Sequence, residues 1–420
     1  MIWLYRFVQL ILSPVIDVVI GVRLLRGKEE WSRMNERLGA PKHPRPKGKL
    51  LWLHGASVGE MQSVLPLIDT LLNTHKDLHV LVTTGTRTSA NLAAKRLPKR
   101  CIHQYVPLDY YLSVKGFMDH WQPDISVFVE SEFWPELLRA APNPILLNGR
   151  MSDKSYKRYR LFSAWTHMVL NPFNLCLTQS ADDTERFKKL GAKNVYTNGN
   201  IKYDAAPLPV DADMLKNLRH SLDGRPLLVA ASTHDPEEEM VALVHTALRQ
   251  NIPKLLTLIA PRHPHRGVTI AEALNQQGHT IARRALRQPI TDQTDIYIAD
   301  TIGEMGLWYS LAGAVVIGGS FIPHGGQNPI ECLKLGAAPV CGPHMENFRE
   351  VTQLLTQAGV LTQVEDAKTL TSVLANLLGN TTTQAAVGKK SKVTLTTLQG
   401  ASARAAEHIS AALTSQKGRA

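Results

Sequence analysis

Short apolar runs alternate with helix-like runs through most of this chain, and that alternation limits what it can become. "LLWLHG", "HVLVTTG", "ISVFVES" and "PILLNGR" read as buried strands. Between and after them "MQSVLPLIDTLLN", "SANLAAKRL" and "DTERFKKLG" read as helices, and "NVYTNGN" leads out. Strands that are apolar throughout, rather than every second residue, are covered on both faces, which argues for a parallel sheet between helix layers. A proline-bearing linker, "DAAPLPVDAD", interrupts the pattern at 204–213. The alternation then restarts with "PLLVAAS", "KLLTLIAP", "HTIARR", "DIYIAD", "AGAVVIGG" and "AAPVCGP". The chain of 420 residues therefore divides into two α/β halves of similar size, with no shorter internal repeat. Two such halves facing each other make a cleft, and ligands bind at the carboxyl ends of the strands.

The first residues break the pattern. "IWLYRFVQLILSPVIDVVIGV", residues 2–22, is almost wholly apolar and runs into Arg23, Arg26 and Lys28. A cleaved signal peptide carries its charges first, so this segment reads as an anchor. It is long enough to span a bilayer, with the following residues on the cytoplasmic side. Arg6, Pro14 and Asp17 suit a tilted or interfacial helix equally well. A buried helix of a soluble protein is the competing reading. A basic, proline-rich connector, "GAPKHPRPKGK", leads from there to the first strand.

The net charge of +11 favours negatively charged partners, whether anionic lipid or phosphorylated substrates. Nucleic acid is disfavoured: the basic residues are scattered and no binding signature is present. Four cysteines without a Cys-x-x-Cys pair argue against a disulfide framework or zinc knuckle and for reduced thiols in a cytoplasmic compartment. There is no G-x-G-x-x-G after a strand, no P-loop and no H-E-x-x-H. The only Asp-x-Asp, Asp211 and Asp213, lies in the linker, so no metal and no cofactor is expected.

The polar clusters fall where strands end. "HGASVGE" closes the first strand, and its Ser57-Val58-Gly59-Glu60 also spells a capping box, so Glu60 is a cap, a catalyst or both. Glu130 and Glu132 in "ESEFWP" are close carboxylates that raise each other's pKa unless one is paired, and Lys202 in "GNIKYD" is a candidate partner. In the second half, Arg262 follows Pro261 at a strand end, where a guanidinium forks onto phosphate or carboxylate. Gly303 and Glu304 open a helix whose N–H groups could hold a base or phosphate. "GGSFIPHGGQNPIE" offers four glycines for close approach, Asn328 as N-cap, Pro329 at the first helical position, and Glu331 as ribose acceptor or capping glutamate. His263, His265 and His324 lack metal-ligand spacing and read as polar loop residues.

Together "HGASVGE", "ESEFWP", "GNIKYD", "ASTH", "APRHP", "GEM" and "GGQNPIE", after the apolar N-terminus, resemble the Kdo (3-deoxy-D-manno-octulosonic acid) transferases of lipid A and lipopolysaccharide biosynthesis. The order is the family's and covers nearly the whole chain. Gln327 stands where His is common and Met305 where Leu is common. The resemblance implies an inverting glycosyltransferase of the GT-B fold: two Rossmann-like domains across a cleft behind an N-terminal membrane-anchor helix. It implies CMP-Kdo as donor, the phosphorylated lipid A precursor (lipid IVA) as acceptor, and the cytoplasmic face of the inner membrane as location. By the same resemblance Glu60 is the general base and Glu130 and Lys202 stabilise the transition state. Pro261, Arg262, Ile302, Gly303, Glu304, Asn328, Pro329, Ile330 and Glu331 hold the donor. The expected division is an anchor over 1–27, an acceptor-side domain with the base over 28–205, and a donor domain over 206–420. The competing functions are another GT-B enzyme, such as a nucleotide-sugar epimerase, and a membrane-tethered nucleotide-binding module without catalysis.

Overall fold

The computed structural model describes residues 1–415. Among these, one helix, Ile2–Leu25, is long and apolar enough to cross a membrane. The remainder forms two α/β units: Met1–Ala205 with the chain from Leu398 onward, and Ala206–Thr397. The cysteines are free, and Cys176, Cys332 and Cys341 are buried.

The first unit is built on strands β1 (Lys49–His54), β2 (Leu78–Thr84), β3 (Cys101–Tyr105), β4 (Ile125–Val129), β5 (Pro144–Gly149), β6 (Leu175–Thr178) and β7 (Val195–Thr197). They form one parallel sheet in the order β3-β2-β1-β4-β5-β6-β7. Side chains alternate across a strand. Leu51 and Leu53 therefore pack with Val64, Leu67, Ile68 and Leu71 of the helix Val58–Thr74 on one face. Leu50 and Trp52 pack with Phe117, Trp121 and Phe128 on the other. Burial on both faces is why these strands read as continuous apolar runs.

The second unit repeats the plan with β8 (Leu227–Thr233), β9 (Leu256–Pro261), β10 (Ile281–Arg283), β11 (Ile296–Ile298), β12 (Ala314–Ile317), β13 (Pro339–Cys341) and β14 (Thr362–Gln363). Its parallel order is β10-β11-β9-β8-β12-β13-β14. The chain switches to the other side of its first strand between β1 and β4 in the first sheet and between β8 and β12 in the second. The crevice beyond the strand ends at such a switch point is where open α/β sheets bind ligands.

One boundary differs from the sequence reading. The assignment of everything from 206 to 420 to the second half fails for the last helix, Ala401–Ser415. Its Ala401, Ala405, Ala406, Ile409 and Leu413 are buried in the first unit's core, against the helix Val58–Thr74. Polar ties fix it there. Asp204 accepts from the Gly400 and Ser402 amides at 2.7 and 2.5 Å, and Arg404 donates to the Asn198 carbonyl at 2.7 Å. An amphipathic helix declares that it needs a core, not which one. Ile409→Ala should cost about 2–5 kcal/mol of stability, the range for truncating a buried aliphatic side chain. Urea unfolding should show the loss in the transition of the first unit; an unchanged midpoint would detach this helix from the core.

Candidate active site

In the first unit the chain leaves β1 at His54, turns at Gly55, and enters the helix Val58–Thr74 behind Ser57. Ser57 caps that helix, its Oγ accepting from the Glu60 amide at 3.3 Å. Glu60 reaches back: Oε1 accepts from the Ser57 hydroxyl at 2.8 Å and Oε2 from the Ala56 amide at 2.7 Å. The capping box is thus formed one residue further upstream than the usual N-cap amide. Gly55 permits it, since a methyl group there would meet the Glu60 Cβ at 3.3 Å. At Gly59 a methyl group would meet, apart from its chain neighbours, only the Ser57 hydroxyl at 4.0 Å.

Burial is the largest influence on Glu60 and raises its pKa. The Ser57 and Ala56 hydrogen bonds pull it down, and the charges of Glu130 and Glu132 push it up. The net direction is upward. The helix terminus favours the ionised form, yet desolvation outweighs it.

Glu130 and Glu132 follow β4 at the switch point. Glu130 sits in the left-handed region at φ 63°, and its carboxylate is ion-paired with Lys202. Lys202 is delivered by the short turn Ile201–Tyr203, whose first amide donates to Asn148 Oδ1 at 3.1 Å and whose second donates to Asn200 Oδ1 at 3.0 Å. Asn148 lies in β5 beside β4, so the sheet itself sets the Glu130–Lys202 pair. Glu132 takes a different partner. Its Oε2 lies 3.4 Å from His54 Nε2 and accepts from the Trp134 indole at 2.5 Å. Burial would raise Glu132, but the His54 bond and charge together with the Trp134 N–H outweigh it and hold the acid low. His54 is buried and its Nδ1 lies 3.0 Å from Thr83 Oγ1. Three carboxylates thus share one sheet edge, and Glu60 is raised and, among the described residues, has no ion-pair partner.

In the second unit the clusters named from sequence gather at the ends of β8, β9, β11 and β12. Pro261 ends β9, and the Arg262 amide donates to the Thr233 carbonyl at 3.0 Å. The Arg262 side chain is exposed, and its charge acts on both His234 and Glu331. Ile302 is 88% exposed, and Gly303 has φ 93° with open space around it. Glu304 is the N-cap residue before the helix Met305–Leu311. Its carboxylate is taken by Arg284 at 2.6 Å and by the Thr301 hydroxyl, and the Arg284 bond leads in holding it low.

Asn328 Oδ1 accepts from the Ile330 amide at 3.0 Å, and its Nδ2 lies 3.4 Å from Glu331 Oε1. Pro329 precedes a helix of only Ile330–Lys334. Burial leads in raising the Glu331 pKa. The Ile330 amide is already taken by Asn328. Asp211, the linker acid, caps the helix Ala212–Leu222 through the Met214 amide at 2.9 Å.

Some groups here escape sequence reasoning. Glu237 is 2% exposed and accepts four amides: His234 at 3.0, Gly319 at 2.7, Ser320 at 3.0 and Phe321 at 3.0 Å. The glycine-rich loop thus spends these donors on its own carboxylate. Gly318 serves packing, since a methyl group there would lie 2.3 Å from the Ser232 carbonyl oxygen. The imidazoles of His234 and His324 lie with centroids 4.0 Å apart, their planes tilted by 30°. In sequence Glu237 is one of three consecutive glutamates at a helix start, two of them buried, and nothing local marks it as the one that takes the loop amides. His54 stands in the quoted first motif, but its pairing with Glu132 spans a long stretch of chain.

Two parallel seven-stranded sheets in this order form the GT-B fold of glycosyltransferases and related nucleotide-sugar enzymes. Two solved structures similar in fold are a glycosyltransferase from Rickettsia africae (TM-score 0.61, 12% identity, 88% of this chain and 99% of that one) and a UDP-GlcNAc 2-epimerase from Neisseria meningitidis (TM-score 0.55, 12% identity, 83% and 99%). Residues 32–205 match the family model described as 3-deoxy-D-manno-octulosonic-acid transferase (kdotransferase). Over 378 residues the chain is 33% identical to the 3-deoxy-D-manno-octulosonic acid transferase of Rickettsia bellii, covering 89% of this chain and 90% of that one. It is 31% identical to the enzyme of the same name from Haemophilus influenzae, covering 90% of each. The chain belongs to the Kdo transferase family.

Proposed function

We propose that this transferase moves Kdo from CMP-Kdo to a hydroxyl of the phosphorylated lipid A precursor, lipid IVA, with inversion, at the cytoplasmic face of the inner membrane. The acceptor oxygen bonds to the anomeric carbon of Kdo. The bond from that carbon to the CMP phosphate breaks, and its electron pair leaves with CMP. The acceptor proton passes to Glu60. The observation that carries this reading is the Glu60 carboxylate: desolvated, without an ion-pair partner among the described residues, and close enough to the Glu130–Lys202 pair and Glu132 for the charges of both glutamates to act on it. A raised carboxylate is a better base than an ordinary one. Lys202 and Glu130 stabilise charge that develops during transfer. The donor is held at the strand ends of the second unit, by Pro261, Arg262, Ile302 through Glu304 and Asn328 through Glu331, with Arg262 on the anionic groups of CMP-Kdo. The first unit serves the acceptor. The net charge of +11 suits an anionic donor and a bis-phosphorylated acceptor.

The test is direct. Purified protein, CMP-Kdo and lipid precursor should give a product heavier by one or more Kdo residues, read by mass. CMP binding without product would instead favour a nucleotide-binding module. Arg262→Ala should weaken CMP or CMP-Kdo binding by about 1.5–3 kcal/mol, the range for hydrogen bonds to charged groups. Unchanged affinity by calorimetry would remove Arg262 from the donor site.

A further inference from the structure

The helix Ile2–Leu25 is tied to the first unit at both ends. Near its start, the Tyr5 hydroxyl donates to Asp109 Oδ2 at 2.7 Å, and Gln9 donates to the Asp109 carbonyl at 2.8 Å. Arg6 forks onto the buried Glu136 carboxylate at 2.5 and 2.9 Å. The Tyr5 ring also meets Trp165 edge-on at 5.8 Å. At its far end, Arg23 donates to Glu29 at 2.9 Å, Arg37 holds the same Glu29 at 3.0 Å, and Arg87 donates to the Gly27 carbonyl at 2.6 Å. Half-buried positions such as Tyr5, Gln9, Ser13, Ile16 and Ile20 recur every three or four residues, which is one stripe of a helix.

A 24-residue helix is about 36 Å long. A helix standing across a bilayer would carry Tyr5 and Arg6 about 30 Å from its far end and strip Glu136 of its partner. Lying along the unit keeps every tie. The outward positions are then largely apolar: Trp3, Phe7, Leu10, Ile11, Val15 and Val18 are each more than half exposed, and Asp17 is the one charged residue among the exposed positions of the helix. The surface beside the helix continues the theme. Arg6 lies over the ring of Tyr111, whose neighbour Leu112 is 77% exposed. Trp165 belongs to the helix Ser163–Leu170, which follows the exposed Leu161 and Phe162 and the exposed basic residues Lys154, Lys157, Arg158 and Arg160.

We propose that Ile2–Leu25 lies in the plane of an anionic phospholipid bilayer instead of crossing it. Its outer face sits in the acyl boundary, and the basic segment from Lys154 to Arg160 sits over headgroup phosphates. This deepens the membrane association proposed above and is independent of the donor chemistry.

The full chain, with Trp3→Cys, Ile11→Cys, Val19→Cys or Leu161→Cys carrying a nitroxide, is bound to phosphatidylethanolamine–phosphatidylglycerol vesicles. Depth is read from relative accessibility to oxygen and to a water-soluble nickel chelate. All four positions are exposed or face outward, so the fold is kept. Equal, shallow depths at residues 3, 11 and 19 are expected. A profile deepest at residue 11, with residue 3 at the opposite surface, would overturn the in-plane placement. The label at residue 161 should reach the interface on these vesicles and remain in water on pure phosphatidylcholine. Water exposure on both would overturn the headgroup contact. Kdo transfer is assayed on the same samples. Transfer by a spanning helix refutes this placement alone, and an in-plane helix without transfer refutes the proposed reaction alone.

Discussion

Glu60→Gln should leave a folded, donor-binding protein that is nearly inactive. Glutamine keeps the size of the side chain, and its amide oxygen can still accept from the Ala56 amide where Glu60 now does. The cap is therefore largely retained, and stability should change by no more than about 1 kcal/mol. The amide cannot take a proton from the acceptor hydroxyl. Loss of a general base costs roughly a hundredfold to ten-thousandfold in rate, and kcat should fall by that much. CMP affinity should hold, because the residues proposed to hold the donor belong to the other unit. The pH profile of the unmodified enzyme offers a second reading. A base works only when ionised, and burial raises Glu60, so the acid limb of kcat/KM should lie above the ordinary carboxylate range and activity should drop as pH falls through it. Near-normal turnover by Glu60→Gln would reduce Glu60 to a cap and move the search to Glu130 or Glu132.

Lys202→Met should be the next most damaging change. It keeps the aliphatic stem and removes the charge that pairs with Glu130. Groups aimed at charge developing in a transition state are typically worth about a hundredfold to a thousandfold in kcat. The fall should appear in kcat, with KM for CMP-Kdo little altered, since an interaction made only in the transition state leaves ground-state binding alone. A fall below tenfold, or one confined to KM, would make the pair a structural tie.

Much of the fold is legible because parallel strands buried on both faces have no polar side to disguise them. Leu50 to Leu53 are apolar without a break because Trp52 and Leu53 enter different cores. The Glu60 cap is legible because a capping box is local. What lies further apart in sequence is not. Whether Lys202 meets Glu130 or Glu132 depends on Asn148 holding the turn that carries it. Glu237 looks like any first-turn acid until the loop of Gly319 to Phe321 closes over it. The apolar N-terminal run declares an anchor, yet the partner of Arg6 is 130 positions away at Glu136.

The return of the last helix to the first unit has a consequence for biosynthesis. The core around Leu67 and Leu71 is completed by Ile409 and Leu413, which the ribosome makes after the whole second unit. Roughly 190 residues separate the two parts of the first unit, a wait of about 10–40 s at 5–20 residues per second. During that interval the helix Val58–Thr74 has an uncovered apolar flank, whereas the second unit has all its residues as soon as it is made and can fold before the last helix appears. The nascent chain is thus exposed to misassociation in its earlier half, and a message that stops early yields an orphaned, sticky first unit beside an intact second one.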